Sequence, residues 1–82
     1  MNSAEMSTLD TVRDIIADVL DDDELSLTRE TTAGDVEGWD SLSHVSIIMK
    51  VERQFGLRFR VSDVAELENV GQLVDLIERE RK

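Results

Sequence analysis

The chain is predicted to be all-α: a small four-helix bundle, three main helices plus one short helix, with a long loop between helices 1 and 2. Three observations lead there. Apolar residues recur at three- and four-residue steps in three separate segments. Capping residues stand where these segments begin. The only stretch that alternates like a strand, Leu57 to Val61, has no partner strand and is assigned to a loop.

Helix 1 is read from Leu9, Val12, Ile16, Val19 and Leu20, with Arg13, Asp14 and Asp18 between them. Ser7 or Thr8 caps its start. The acids Asp21, Asp22, Asp23 and Glu24 stop it, because the C-terminal end of the helix dipole disfavours negative charge. From Asp21 to Asp40 the sequence is polar and rich in Thr, Asp and Gly, with Leu25, Leu27 and Val36 as isolated apolar residues. Those three are expected to anchor an ordered loop, since so long a connection in a compact domain is usually functional or disordered.

Helix 2 carries the stripe Leu42, Val45, Ile48, Met49 and Phe55, broadened by Ile47 and Val51, and Gly56 follows as its left-handed terminator. Apolar residues on more than one face suit a helix with several neighbours, or one with an exposed docking face. Ser62 or Asp63 starts a short turn through Val64 and Leu67. Asn69, followed by Gln72, makes a loose capping box for the last helix, whose apolar face is Val70, Leu73, Val74 and Ile77. Arg79, Arg81 and Lys82 suit its C-terminal end.

At 82 residues the chain has room for one domain, 1–82, and one core. So short a domain buries only about 60% of its unfolded surface, which leaves no room for an enclosed active-site cavity. It has no cysteine, so disulfides, thiolate nucleophiles and cysteine metal sites are excluded together, and any thiol chemistry must be imported. No secretory signal pattern opens the sequence, and no stretch approaches the roughly 18 apolar residues of a membrane span, so a cytosolic protein without membrane insertion is expected. Nineteen acids against nine basic residues give a formal charge of −10, which repels phosphate backbones and argues against nucleic acid as a partner.

The stretch Gly38 to Val45, GWDSLSHV, holds the residues that bear on chemistry. Asp40, Ser41 and His44 are the residue types of a hydrolytic triad. All three share one helical turn from which side chains radiate outward, no G-x-S-x-G elbow is present, and the chain is too short for a pocket. Taken residue by residue, Asp40 is an N-cap, Ser41 a first-turn residue and His44 a solvent-facing polar side chain. A third role is covalent: a phosphodiester on Ser41 would lie at the positive end of the helix dipole, where backbone N–H groups lack partners. The acids at 21–24 lack the glycine and the spacing of a calcium loop.

The run Asp40-Ser41-Leu42 at a helix start, after a long loop with Gly34-Asp35 and Gly38-Trp39 and before Val45-Ile48-Met49 and Phe55-Gly56, resembles the acyl carrier proteins and related carrier domains. The likeness spans nearly the whole chain, including the acids that close helix 1, the short helix near Val64 and the opening Asn69-Val70. The resemblance implies that Ser41 carries 4′-phosphopantetheine, transferred from coenzyme A by a phosphopantetheinyl transferase. The arm would bring the missing thiol and hold an acyl cargo as a thioester. The protein would then be no enzyme but a stand-alone, monomeric shuttle, a substrate for an acyl- or aminoacyl-activating enzyme and for downstream transferases or synthases.

The same resemblance makes Asp35, Trp39, Asp40, Leu42 and Met49 the expected partner-docking residues, with no metal and no catalytic residue. Asp35, Glu37 and Asp40 keep the acidic approach to the serine. Helix 2 departs from the acidic helix of fatty-acid carriers, for it bears Ser43, His44, Ser46, Lys50 and Arg53 with Glu52 as its acid. Trp39 is similar to its counterpart in carriers of specialised pathways; its structural reading is a loop residue covering the edge of the core. Met49 is either docking strip or core. An aminoacyl or peptidyl carrier of the same fold remains the alternative within the class, and an unmodified acidic interaction module the alternative outside it.

Overall fold

The computed structural model describes residues 7–81. They form α1 (Thr8–Leu20), a single 3-10 turn (Ala33–Asp35), α2 (Ser41–Phe55), α3 (Val61–Ala65) and α4 (Val70–Glu80), with no strand among the described residues. The chain is an all-helical bundle with a long loop after α1. Lys82, expected to close the last helix, lies outside the described residues.

Local chemistry sets the helix ends. The Ser7 hydroxyl accepts the Asp10 amide at 3.1 Å and starts α1. Asp21 then turns left-handed at φ 57°, so that its own amide reaches the Asp18 carbonyl and that of Asp22 the Ala17 carbonyl. Gly56 ends α2 in the same way, at φ 67°, with Leu57 N–H on the Glu52 carbonyl. Asp is among the few side-chain-bearing residues that tolerate this region, so the first acid of the quartet acts as the terminator of α1.

α1 packs against both α2 and α4. Val12, Ile16, Ile47, Val51, Val70 and Ile77 are fully buried in the shared core, and Leu25, Leu27, Trp39 and Phe59 close it from the loops. Ile15, absent from the expected stripe of α1, is also buried.

The long loop is fastened at both ends of its course. Arg13 donates from Nε to the Leu25 carbonyl at 2.7 Å, which ties the loop to α1. Farther on, the first amides of α4 donate to loop carbonyls, Val70 to Thr31 at 2.8 Å and Gly71 to Arg29 at 2.7 Å. Those amides have no partner within their own helix, so the loop supplies what the helix lacks. The approach is close enough that a Cβ on Gly71 would lie 2.9 Å from the Arg29 carbonyl oxygen. Arg29 itself reaches Asp75 on α4 at 2.9 Å.

Three expectations need correction. The stripe of α2 is divided: Ile47, Ile48 and Val51 face the core, whereas Leu42, Val45 and Met49 are 81%, 56% and 56% exposed. At 100° per residue the two sets lie on different sides of the helix, and α1 covers one of them. The short helix begins at Val61 rather than at Ser62 or Asp63 and ends at Ala65, before Leu67; Arg60 stands at its N-cap position without a side-chain cap, and the Asp63 carboxylate, inside the first turn, pairs with Arg79. At α4 the Asn69 side chain accepts the Gln72 amide as expected, but Gln72 Oε1 returns to the Glu68 amide, one residue before the cap.

Candidate functional site

The junction of loop and α2 is built outward from Asp40. Its carboxylate accepts the Ser43 amide at 2.9 Å and its carbonyl the His44 amide at 2.8 Å, so the first turn of α2 is held from one residue. The hydrogen bond from the Ser43 amide holds the Asp40 carboxyl below its ordinary pKa. The Ser43 hydroxyl donates back to the Gly38 carbonyl at 2.9 Å. Gly38, at φ 90°, makes the turn that brings the loop to this point, a conformation that side-chain-bearing residues seldom adopt. Ser41 is the first residue of α2 and is exposed.

The residues of the imagined triad have separate tasks. Asp40 caps the helix. His44 is not solvent-facing as expected but half-buried: its Nδ1 accepts the Trp39 indole N–H at 3.2 Å, and the rings lie 6.1 Å apart at 25°. Burial moves its pKa below the ordinary value. Among the described residues no hydrogen bond joins Ser41 to His44, so the imidazole is engaged with the loop rather than poised over the hydroxyl. Trp39 packs on the edge of the core, in keeping with its structural reading.

Around Ser41 the surface has two characters. Asp35, Glu37 and Asp40 are exposed on the loop side. Asp35 also accepts the Thr32 amide at 3.0 Å, which stiffens the 3-10 turn that carries it. On the helix side run Leu42, Val45 and Met49. The structure thus places Asp35, Asp40, Leu42 and Met49 on the surface beside or beyond Ser41, and Trp39 half inside it. Val45 joins this surface although it is not among the expected docking residues; its spacing to Leu42 and Met49, on the side away from Ile47 and Val51, is the signal that places it. Nothing in the sequence singles out Ser43 as the clasp on Gly38.

Behind Trp39 and His44 lies a pocket of about 30 Å³, lined also by Ala33, Leu67, Asn69 and Leu73. That is the volume of about one water molecule. Among the described residues no group of three or more His, Asp or Glu side chains is placed to hold a metal ion, and no helix is long and apolar enough to cross a membrane.

The fold is thus a small all-helical bundle in which a capped helix presents a surface serine after a fastened loop. Comparison with known proteins shows the family. The profile of the family described as "Phosphopantetheine attachment site" matches residues 10–77. An acyl carrier protein of Thermotoga maritima is 35% identical over 68 residues, which cover 83% of this chain and 84% of the relative. The solution NMR structure of a holo acyl carrier protein from Geobacter metallireducens superposes with a TM-score of 0.84 at 43% identity, covering 92% of this chain and 86% of that one. The chain belongs to the acyl carrier protein family, and the prosthetic group of that family, phosphopantetheine, is its cofactor.

Proposed function

We propose that residues 1–82 act as an acyl carrier that holds an acyl cargo as a thioester on 4′-phosphopantetheine attached to Ser41. One observation carries the assignment: Ser41 is an exposed hydroxyl on the first turn of α2, with the preceding cap and loop held in place around it. Ser43 is turned back onto Gly38, so its hydroxyl is engaged where that of Ser41 is open to an enzyme. The positive end of the α2 dipole suits the phosphodiester that attachment would leave there. When bound, the arm supplies the thiol that a chain without cysteine lacks.

The protein's own residues then position and recognise rather than catalyse. Asp40 orders the first turn, and Asp35 and Glu37 present negative charge to a basic phosphopantetheinyl transferase. Leu42, Val45 and Met49 offer apolar area to the enzymes that load and unload the arm in the cytoplasm. The pocket behind Trp39, at about 30 Å³, has room for about one water molecule and for no acyl chain, which favours a second reading: an aminoacyl or peptidyl cargo that needs no shelter inside the bundle.

Intact mass spectrometry with coenzyme A and a broad-specificity transferase tests the proposal. A gain of one phosphopantetheinyl unit, mapped to Ser41 and absent from Ser41→Ala with unchanged circular dichroism, is the expected result. No gain, with a known carrier modified in parallel, would leave an unmodified interaction module.

A further inference from the structure

The charge of this protein is unevenly divided. Twelve of its 19 acids and two of its nine basic residues precede Ser41, so the first 40 residues carry the whole charge of −10; the remaining seven acids and seven basic residues cancel. Within that neutral half the basic residues gather. Arg53, at the end of α2, and Arg58, in the loop after it, line one open groove with Met49 and Phe59. Arg58 and Arg60 line the adjoining one, beside Arg79.

Arg53, Arg58 and Arg60 are exposed, and none forms an ion pair or side-chain hydrogen bond among the described residues. The other described cations, Arg13, Arg29, Lys50, Arg79 and Arg81, are each paired with a carboxylate. The acids nearest the grooves are already engaged, for Glu52 accepts the Phe59 amide at 2.9 Å and Asp63 pairs with Arg79 at 3.2 Å. Two of these unpaired guanidinium groups, those of Arg53 and Arg58, therefore share a groove with the exposed Met49, and the third, that of Arg60, lies with Arg58 in the adjoining one. Arginine in that setting suits planar, two-point recognition of carboxylates.

We propose that the two adjoining grooves lined by Arg53, Arg58 and Arg60, with Met49 in the first, form a second docking surface whose occupant is an acidic, partly apolar face of a partner protein. It is opposite in sign to the acidic approach to Ser41. That the partner is an enzyme acting on the arm rests on the carrier reading; the surface itself does not. At 1.5 Å per residue Arg53 lies about 18 Å along α2 from Ser41, so a protein seated here leaves the serine uncovered. The two surfaces sort partners by charge: a basic enzyme meets the loop side and an acidic one the far end of α2, each repelled from the other's place.

The test uses the full ¹⁵N-labelled chain and two synthetic amphipathic peptides, identical but for glutamate or lysine beside a leucine stripe. The glutamate peptide is expected to shift amide signals between residues 49 and 60, more strongly at low salt, and the lysine peptide those between 35 and 45. The triple variant R53E/R58E/R60E should bind the glutamate peptide at least tenfold more weakly, and R53Q/R58Q/R60Q should fall between it and the parent. Because Arg60 contributes only its carbonyl to the start of α3, the circular dichroism of both variants should match the parent. Glutamate-peptide shifts centred on 35–45, no shift at millimolar peptide, or binding unchanged in the triple variant would overturn the proposal. So would shifts of 49–60 on raising the protein concentration alone, since a second copy would then be the occupant. Ser41 loading by the transferase is run beside it: loading within twofold in the variant is expected, whereas failure in the parent chain as well would count against the carrier reading and not against this surface.

Discussion

α2 and α4 are both apolar helices of this bundle, yet they dispose of their apolar residues differently. In α4, Val70, Leu73, Val74, Leu76 and Ile77 are all buried. In α2, Ile47, Ile48 and Val51 are buried while Leu42, Val45 and Met49 face water. α4 receives the long loop on its first turn and α1 along its side, so little of its apolar face is left over. α2 meets α1 on one side and keeps the other free. Apolar side chains left in water next to an exposed serine contribute little to folding, and their use is to be sought in binding.

The comparison breaks most sharply in the core. Ile77→Ala in α4 and Ile47→Ala in α2 each remove a fully buried side chain and should cost about 2–5 kcal/mol in urea unfolding. Equal losses would show that the inner face of α2 is packed as firmly as that of α4. A smaller loss from Ile47→Ala would mean that α2 gives way around the change.

Gly71→Ala tests the fastening that α4 has and α2 lacks. Alanine favours a helix over glycine by about 1 kcal/mol, but the Cβ would press on the Arg29 carbonyl. The contact should win, for a net loss of about 1–3 kcal/mol by urea unfolding. A gain in stability would show that the loop shifts aside freely.

The caps should behave alike: Asp40→Ala and Asn69→Ala each remove a side chain that accepts the amide three residues on, and each should lower the urea midpoint by a similar amount, less than Gly71→Ala does. pH then separates the two helices. Burial lowers the pKa of His44, so below the ordinary value of about 6.5 the unfolded chain takes up a proton that the folded chain resists. Stability is full above that pH and declines as pH falls through it, and protonation also removes the acceptor of the Trp39 indole. Asp40, with its pKa lowered, loses its contribution only at more acid pH, as its carboxylate is protonated. His44→Gln should flatten the slope of the urea midpoint just below pH 6.5 without changing it above. A slope unchanged by the substitution would assign the decline to other groups.

The smallest effects belong to the outer face of α2. Leu42→Ala and Met49→Ala should alter stability by less than about 0.5 kcal/mol while slowing transfer to or from a partner enzyme. A large loss of stability from either would return that residue to the core.

The all-helical class, the helix order and most of the ends were legible in the sequence because they rest on local rules. A 3.6-residue period and a side chain bonded to the amide three residues on need no distant partner, as at Ser7, Asp40 and Asn69. Ser41 was legible for the same reason, as a first-turn hydroxyl after a capping acid. Where two local signals competed, as at Asp63, the sequence offered a cap and the structure an ion pair with a residue 16 positions away.

The sequence by itself determined that α2 would be a helix, where it starts and stops, and that Ser41 would stand on its first turn. Only the tertiary structure decided which apolar face of α2 turns inward, since a helix apolar on two sides satisfies its own period either way and α1 makes the choice. It likewise decided that Trp39 takes His44, that Arg29 and Thr31 lend their carbonyls to α4, and that Arg53 and Arg58 stay unpaired among the described residues in the groove that Met49 lines. Each of these depends on how separate segments of the chain meet, and that meeting is set by the packing of the whole core rather than by any one stretch of residues.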